Sequence, residues 1–271
     1  MNFMSLEKIN RKENPIQYMK YSIWDFNKRD HLDILKIPIK GSSPIGIPLQ
    51  CILRFSREGD WILDPFCGSG TTLLACSYLK RKGIAIEINP KIASIAKENL
   101  EIGKTIPSIN KWISYQKIIK GDSLFFMNEF LKPNSIDMVF AHPPYWNLIK
   151  YSEQYSFIKN DLSNEKTLAE FLIKIEVMFQ GIKRVLKKDC FLCILIGDVF
   201  THSGKSIPLD YYLTKIALDN NFEYHSKIIK VTHNATSRKN KIDYWENRSI
   251  KENIFICIHD YLLIFQNRKE G

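Results

Sequence analysis

The stretch WILDPFCGSGTT, Trp61 to Thr72, decides how the rest of the chain is read. Residues suited to a buried strand run into Asp64, Pro65 and Phe66, Gly68 and Gly70 punctuate a turn, and Thr71 opens an amphipathic helix through Lys82. The order is strand, glycine turn, helix. Glycines at two alternate positions let the backbone approach a ligand with no Cβ in the way, and the helix N-terminus offers unpaired N–H groups to an anionic group. Alone, such a turn is equally at home where it only packs a helix against a sheet. Asp64 likewise reads as a ligand contact or as a turn-stabilising acid.

Three further strand ends carry polar groups. Gly83 to Ile88 ends in Glu87, where an acid at the carboxyl end of the second strand can take both hydroxyls of a ribose. Gln116 to Gly121 ends in Asp122, placed to accept from an exocyclic amine. Ile136 to Phe140 runs into Ala141-His142-Pro143-Pro144-Tyr145-Trp146. Strand and helix continue to alternate: a long amphipathic helix from about Glu165 to Lys187, an apolar strand Cys190–Gly197, a helix Pro208–Asn220, and strands near Tyr224–Val231 and Asn253–Phe265. Alternation on this scale predicts right-handed crossovers and a doubly wound parallel sheet. Ligands in such sheets bind outside the carboxyl ends of the strands, so Asp64, Glu87, Asp122 and His142 are expected to converge.

The glycine turn DPFCGSGTT followed by a Pro-Pro-Tyr strand end resembles the DNA amino-methyltransferases, from about Tyr21 to about Arg268. The resemblance implies an α/β fold of the class I, Rossmann-like methyltransferase type. Its sheet is mostly parallel and seven-stranded, with an antiparallel C-terminal edge strand. It implies S-adenosylmethionine as cofactor and transfer of its methyl to the exocyclic nitrogen of adenine (N6) or cytosine (N4), in restriction-modification or an epigenetic role. Asp64, Phe66, Gly68, Gly70, Thr71, Glu87 and Asp122 are the implied cofactor residues. His142 and Pro143 are the implied acceptors for the amine, Pro144 fixes the backbone, and Tyr145 stacks on a base that has left the duplex. Gly46 to Gln50, opening a helix to Ser56, matches the motif that closes over the methionine end, and is equally a plain helix start. The chain departs from the family at His142, where Asp, Asn or Ser is usual. A neutral imidazole offers one acceptor nitrogen and an imidazolium none, so activity is expected to fall as pH drops through the His142 pKa. The target base stays undecided.

Composition bounds the partners. The 271 residues are 45% hydrophobic, enough for one large α/β domain over residues 21–271 after a polar lead-in over 1–20, and the net charge of +10 favours a polyanionic partner. Double-stranded DNA is the expected one. Trp146 and Tyr151, with Arg238, Lys239 and Lys241 in THNATSRKNK, are the candidate nucleic-acid contacts, within DNA-contacting loops near 146–164 and 232–250. What remains beyond the sheet is short of a recognition domain of ~100 residues, so specificity falls to loops, a second protomer or a specificity or nuclease partner. The six cysteines lie scattered in apolar segments, and the Cys190–Cys193 pair lacks a companion pair, so no metal is expected. No run approaches the ~18 apolar residues of a membrane span, and a cytoplasmic, DNA-associated protein is expected. Methylation of RNA, and nucleic-acid binding without catalysis, are the competing readings.

Overall fold

The structure, a computed structural model, describes residues 19–26, 42–146, 158, 160–200, 206–232 and 242–268. An eight-stranded sheet organises it. In chain order the strands are β1 (Ile23–Asp25), β2 (Trp61–Asp64), β3 (Lys82–Glu87), β4 (Gln116–Lys120), β5 (Ile136–Ala141), β6 (Leu186–Ile196), β9 (Glu223–Val231) and β10 (His259–Gln266), with Val199–Phe200 (β7) and Ser206–Ile207 (β8) forming a separate small pair. The sheet order is β1-β9-β10-β6-β5-β2-β3-β4. All its pairings are parallel except those of β10, which runs antiparallel to both β6 and β9.

The doubly wound, mostly parallel architecture is as the sequence predicts, with two differences of detail. β1 adds an eighth strand, paired parallel to β9 through Ile23↔Ile229 and Asp25↔Val231. The antiparallel strand β10 also lies inside the sheet, between β9 and β6, rather than at its edge. The reason is hydrophobic. Leu262, Leu263, Ile264 and Phe265 are all buried, so this strand needs cover on both faces and neighbours on both sides.

Period-two alternation splits each central strand between two cores. Ile62, Ala85, Met138, Phe140, Cys193, Leu195, Leu262 and Ile264 join one cluster, whereas Leu63, Ile86, Val139, Ala141, Leu192, Ile194, Leu263 and Phe265 join the other. The first is covered by α1 (Gly46–Phe55), α2 (Thr71–Tyr78), α3 (Pro90–Gly103) and α4 (Asn110–Ile113). The second is covered by α5 (Ser123–Glu129), α6 (Leu168–Val185) and α7 (Leu209–Asp219). There Phe179 meets Phe222 and Phe265 edge-on, with ring centroids 5.8 and 6.1 Å apart. Burying one such ring contributes about 1.5–3 kcal/mol.

Helix starts follow local chemistry. Thr167 and Glu170 form a reciprocal capping box for α6, and Asn89 caps α3 with Pro90 at its first position. The strand expected over Asn253–Phe265 begins only at His259: α8 (Ile242–Glu252) ends just before Asn253, which turns the chain with φ +52°, and residues 254–258 have no regular structure. The pattern of mixed aromatics and charge there reads as a loop, but Arg248 and Glu252 pair at 2.8 Å one turn apart and support a helix. The DNA-contacting loop expected near 232–250 therefore runs into a helix at its C-terminal part. Likewise residues 162–164 of the other expected loop form a short 3₁₀ turn.

Candidate active site at the strand ends

The chain order reverses between β2 and β5, so their carboxyl ends open a crevice. Here lies an open cleft. Asp64, Phe66, Gly68, Thr71, Glu87, Asp122, His142 and Pro144 all line it. Residues that the sequence separates by as many as eighty positions thus line one cleft.

The glycine turn is held from several sides. The Cys67 N–H donates to the Ile86 carbonyl at 2.9 Å, tying the turn to β3, and the buried Asn99 amide donates to the Ser69 carbonyl at 2.8 Å. Gly68 has φ +52° and Gly70 φ +85°, the left-handed region that glycine adopts without strain. Gly70 has a structural task of its own. It does not line the cleft but caps α2, and a Cβ there would lie 3.4 Å from the Ala96 Cβ. Its glycine is demanded by the left-handed backbone, since Ala96 lies only at ordinary contact distance.

Glu87 organises the middle of the cleft. Its Oε2 accepts from the Gly68 N–H and its Oε1 from the Asn89 N–H, each at 2.9 Å. A carboxylate has about four lone-pair positions, so capacity for two further donors is left. Burial pushes the Glu87 carboxyl up to about 7, against the lowering by those two N–H bonds. Burial likewise pushes Asp64 up to about 6, although a Thr72 side-chain bond and the Phe66 N–H pull the other way. Two carboxyls raised by burial make the cleft favourable to a ligand carrying positive charge. Asp122 caps α5 with Oδ1 on the Leu124 N–H at 2.9 Å, and its Oδ2 accepts from Asn160 at 3.1 Å.

Four contributors escape a reading of the sequence. Asn89 is 2% exposed and lines the cleft; its Oδ1 caps α3, while its Nδ2 has no hydrogen-bond partner. That amide is a buried donor left without a partner on a residue of the cleft lining. The Asn-Pro pair after a strand-end acid was the available signal. Asp161, and Ser42 with Ser43 just ahead of α1, also line the cleft, and nothing local marks them.

The strand end after β5 is bonded into the sheet. His142 Nε2 lies 3.1 Å from the Tyr145 hydroxyl, which donates to Asp260 Oδ1 at 3.4 Å. His142 is half-buried, and burial pushes its pKa down from 6.5 to about 4, with Asp260 pulling it up and Lys230 pushing it down. The imidazole is neutral at neutral pH. Pro143 is buried, and neither it nor Tyr145 is part of the cleft lining. Trp146 takes φ +44° and donates its indole N–H to the Glu165 carbonyl at 3.0 Å, which turns it toward the start of α6 and away from the lining. Tyr151, Arg238, Lys239 and Lys241 lie outside the described residues.

Comparison with known proteins bears on this arrangement. A family model described as DNA methylase, N6_N4_Mtase, matches residues 5–98 and 136–271. The chain belongs to the N6/N4 DNA methylase family. Among curated members it is 38% identical to the type II methyltransferase M.HpaI of Haemophilus parainfluenzae over 80 residues, 30% of this chain and 26% of that protein. It is 41% identical to M.SmaI of Serratia marcescens over 78 residues, 27% of each chain. The aligned part thus spans about a quarter of these relatives. The fold resembles that of TrmN from Thermus thermophilus, with a TM-score of 0.53 at 15% identity, covering 84% of this chain and 50% of that one. It also resembles a SAM-dependent methyltransferase from Methanosarcina mazei, with a TM-score of 0.52 at 14% identity, covering 81% and 98%. Among the described residues no helix is long and apolar enough to cross a membrane.

Proposed function

We propose that this family member transfers the methyl group of S-adenosylmethionine to the exocyclic amine of adenine or cytosine in DNA. The observation that carries the reading is that the glycine turn and two residues of the strand-end motif, His142 and Pro144, line one cleft together with Glu87 and Asp64. The residues present fit the cofactor. The spare lone pairs of Glu87 suit the ribose hydroxyls, and the unpartnered Asn89 amide suits an acceptor of the adenine edge. Asp122 suits the adenine amine, and the raised carboxyls suit a cationic ligand.

When bound, S-adenosylmethionine supplies an electrophilic methyl on a positively charged sulfur. The protein's own task is to make a poor nucleophile usable, because the amine lone pair is delocalised into the base. Two acceptors that draw the amine hydrogens out of plane leave that lone pair pointing at the methyl, with no strong base required. His142, as a neutral imidazole, and the Pro143 carbonyl fill this role. Tyr145 presents its ring to the flipped base, and the chain's positive charge holds the phosphates.

The pH dependence separates the two halves of the site. Glu87 rises to about 7 and Asp64 to about 6, so as pH falls through this range both carboxylates are neutralised and lose their pull on a cation. His142 ionises only near pH 4. Affinity for S-adenosylmethionine, measured by calorimetry, is expected to weaken from pH 8 to pH 6. The rate at saturating cofactor and DNA is expected to hold down to about pH 5, below which His142 begins to charge. A rate falling in parallel with affinity around pH 6.5 would contradict a shielded His142.

The reading is tested by incubating the protein with methyl-labelled S-adenosylmethionine and unmethylated genomic DNA, then analysing nucleosides by mass spectrometry. Label in N6-methyladenine or N4-methylcytosine is the expected result and names the base. Label confined to RNA, or none in DNA despite bound cofactor, would overturn it.

A further inference from the structure

We infer that Asp260, acting through the Tyr145 hydroxyl, is a positioning residue that fixes His142 as the Nε2–H tautomer and leaves Nδ1 as the acceptor for the target amine. The consequence for catalysis rests on the function proposed above, whereas the tautomer does not. Asp260 lies on β10 and is paired in register with Lys230 on β9. Its Oδ2 accepts from Lys230 Nζ and from Thr232 Oγ1, both at 2.9 Å, and the Lys230 ammonium also donates to Thr232 Oγ1 at 2.7 Å. Burial raises the Asp260 carboxyl, but Lys230 and the two side-chain hydrogen bonds outweigh it and hold the group below its ordinary value. Asp260 is therefore an ionised carboxylate, which only accepts hydrogen bonds.

The proton positions follow by counting. Tyr145 has one hydroxyl hydrogen, and its oxygen lies 3.1 Å from His142 Nε2 and 3.4 Å from Asp260 Oδ1. Since a carboxylate has no proton to give, the hydroxyl donates to Asp260 and its oxygen accepts from Nε2–H. A neutral imidazole carries one N–H, so the lone pair sits on Nδ1. With the opposite tautomer His142 has a donor where the amine needs an acceptor. The backbone makes room for the connection: a Cβ at Gly197, at the end of β6, would lie 2.6 Å from Asp260 Oδ1 and 2.8 Å from Tyr145 Cε2. Only a glycine lets the tyrosine reach the aspartate past that strand.

The near-isosteric Asp260→Asn separates positioning from mere support. Lys230 draws the asparagine oxygen toward itself, so the amide N–H₂ faces Tyr145; the hydroxyl then accepts from the amide, donates to His142 Nε2, and drives the proton to Nδ1. The measurement is ¹⁵N NMR of histidine-labelled protein, with the His142 signals assigned by their loss in His142→Gln. The parent is expected to show Nε2–H and Asp260→Asn the inverted pattern, with the methylation rate down ~10²-fold and the KM for S-adenosylmethionine unchanged. Tyr145→Phe leaves the Lys230–Asp260 pair intact, so it covers the case in which Asp260→Asn does not fold; its His142 is expected to become a mixture of tautomers. Nδ1–H in the parent, or an unchanged tautomer in both variants, overturns the inference whatever the activity. An inverted tautomer with an unchanged rate overturns the positioning role. A parent that methylates no DNA but shows the expected tautomers refutes the proposed function and leaves the tautomer assignment standing.

Discussion

Replacing His142 with alanine is expected to slow methyl transfer ~10²- to 10³-fold while leaving cofactor affinity within a few-fold, as measured by single-turnover kinetics and calorimetry. The size follows from what is removed. A preorganised acceptor acting on a group as its charge develops is worth far more than a surface hydrogen bond, because the imidazole is already fixed against the Tyr145 hydroxyl. Burial holds His142 neutral, with its pKa near 4, so nearly every molecule at pH 7.5 carries the acceptor form. His142→Asn restores an amide oxygen acceptor and is expected to recover part of the rate. His142→Lys offers only donors and is expected to resemble alanine. Equal activity in the parent and His142→Ala would remove His142 from the mechanism and shift the acceptor role to the backbone alone.

Glu87→Ala is expected to weaken S-adenosylmethionine binding ~10²-fold. Hydrogen bonds to a charged group contribute about 1.5–3 kcal/mol, and each 1.4 kcal/mol is about tenfold in affinity, so losing the ribose acceptor alone reaches this size. The substitution also strips the Gly68 and Asn89 N–H groups of their partner and loosens the turn. Glu87→Gln distinguishes the two effects, since it retains one acceptor oxygen for the turn but no charge. The sign of the stability effect can be worked out. The folded pKa of about 7 lies above the ordinary 4.5, so the folded state holds its proton longer than the unfolded chain. Glu87 therefore costs stability increasingly as pH rises from about 4.5 to about 7, and the cost is constant above that. Thermal melts of Glu87→Gln without cofactor are accordingly expected to lose part of the parent's decline over that window, even as binding is lost. Wild-type affinity in Glu87→Ala would place the ribose elsewhere.

Much of the cleft was legible because its signals are local. A strand's apolar run, a glycine pair needing positive φ and acids at successive strand ends are each set by a few neighbouring residues, and a doubly wound sheet brings such ends together. Asp64, Phe66, Gly68, Glu87, Asp122 and His142 were found that way, and all line one cleft. Gly70 caps α2 rather than lining the cleft, and a positive φ that shapes a cap and one that clears space for a ligand leave the same letter in the sequence. The helix Ile242–Glu252 was missed because its support comes from a pairing one turn apart, while its charge and aromatics resemble a loop.

By itself, then, the sequence determined the alternation of the central strands and helices, the glycine turn after the first central strand and the family resemblance, since each depends on spacing along the chain. Only the tertiary structure decided that β10 lies inside the sheet, that Asn89 has an unused donor in the cleft, and that Asp260 meets Tyr145 across 115 positions of sequence. Register between distant strands and the burial of single polar atoms arise from how the layers close over one another. The protonation and tautomer of His142 depend on that closure, because they are set by the groups packed around the ring.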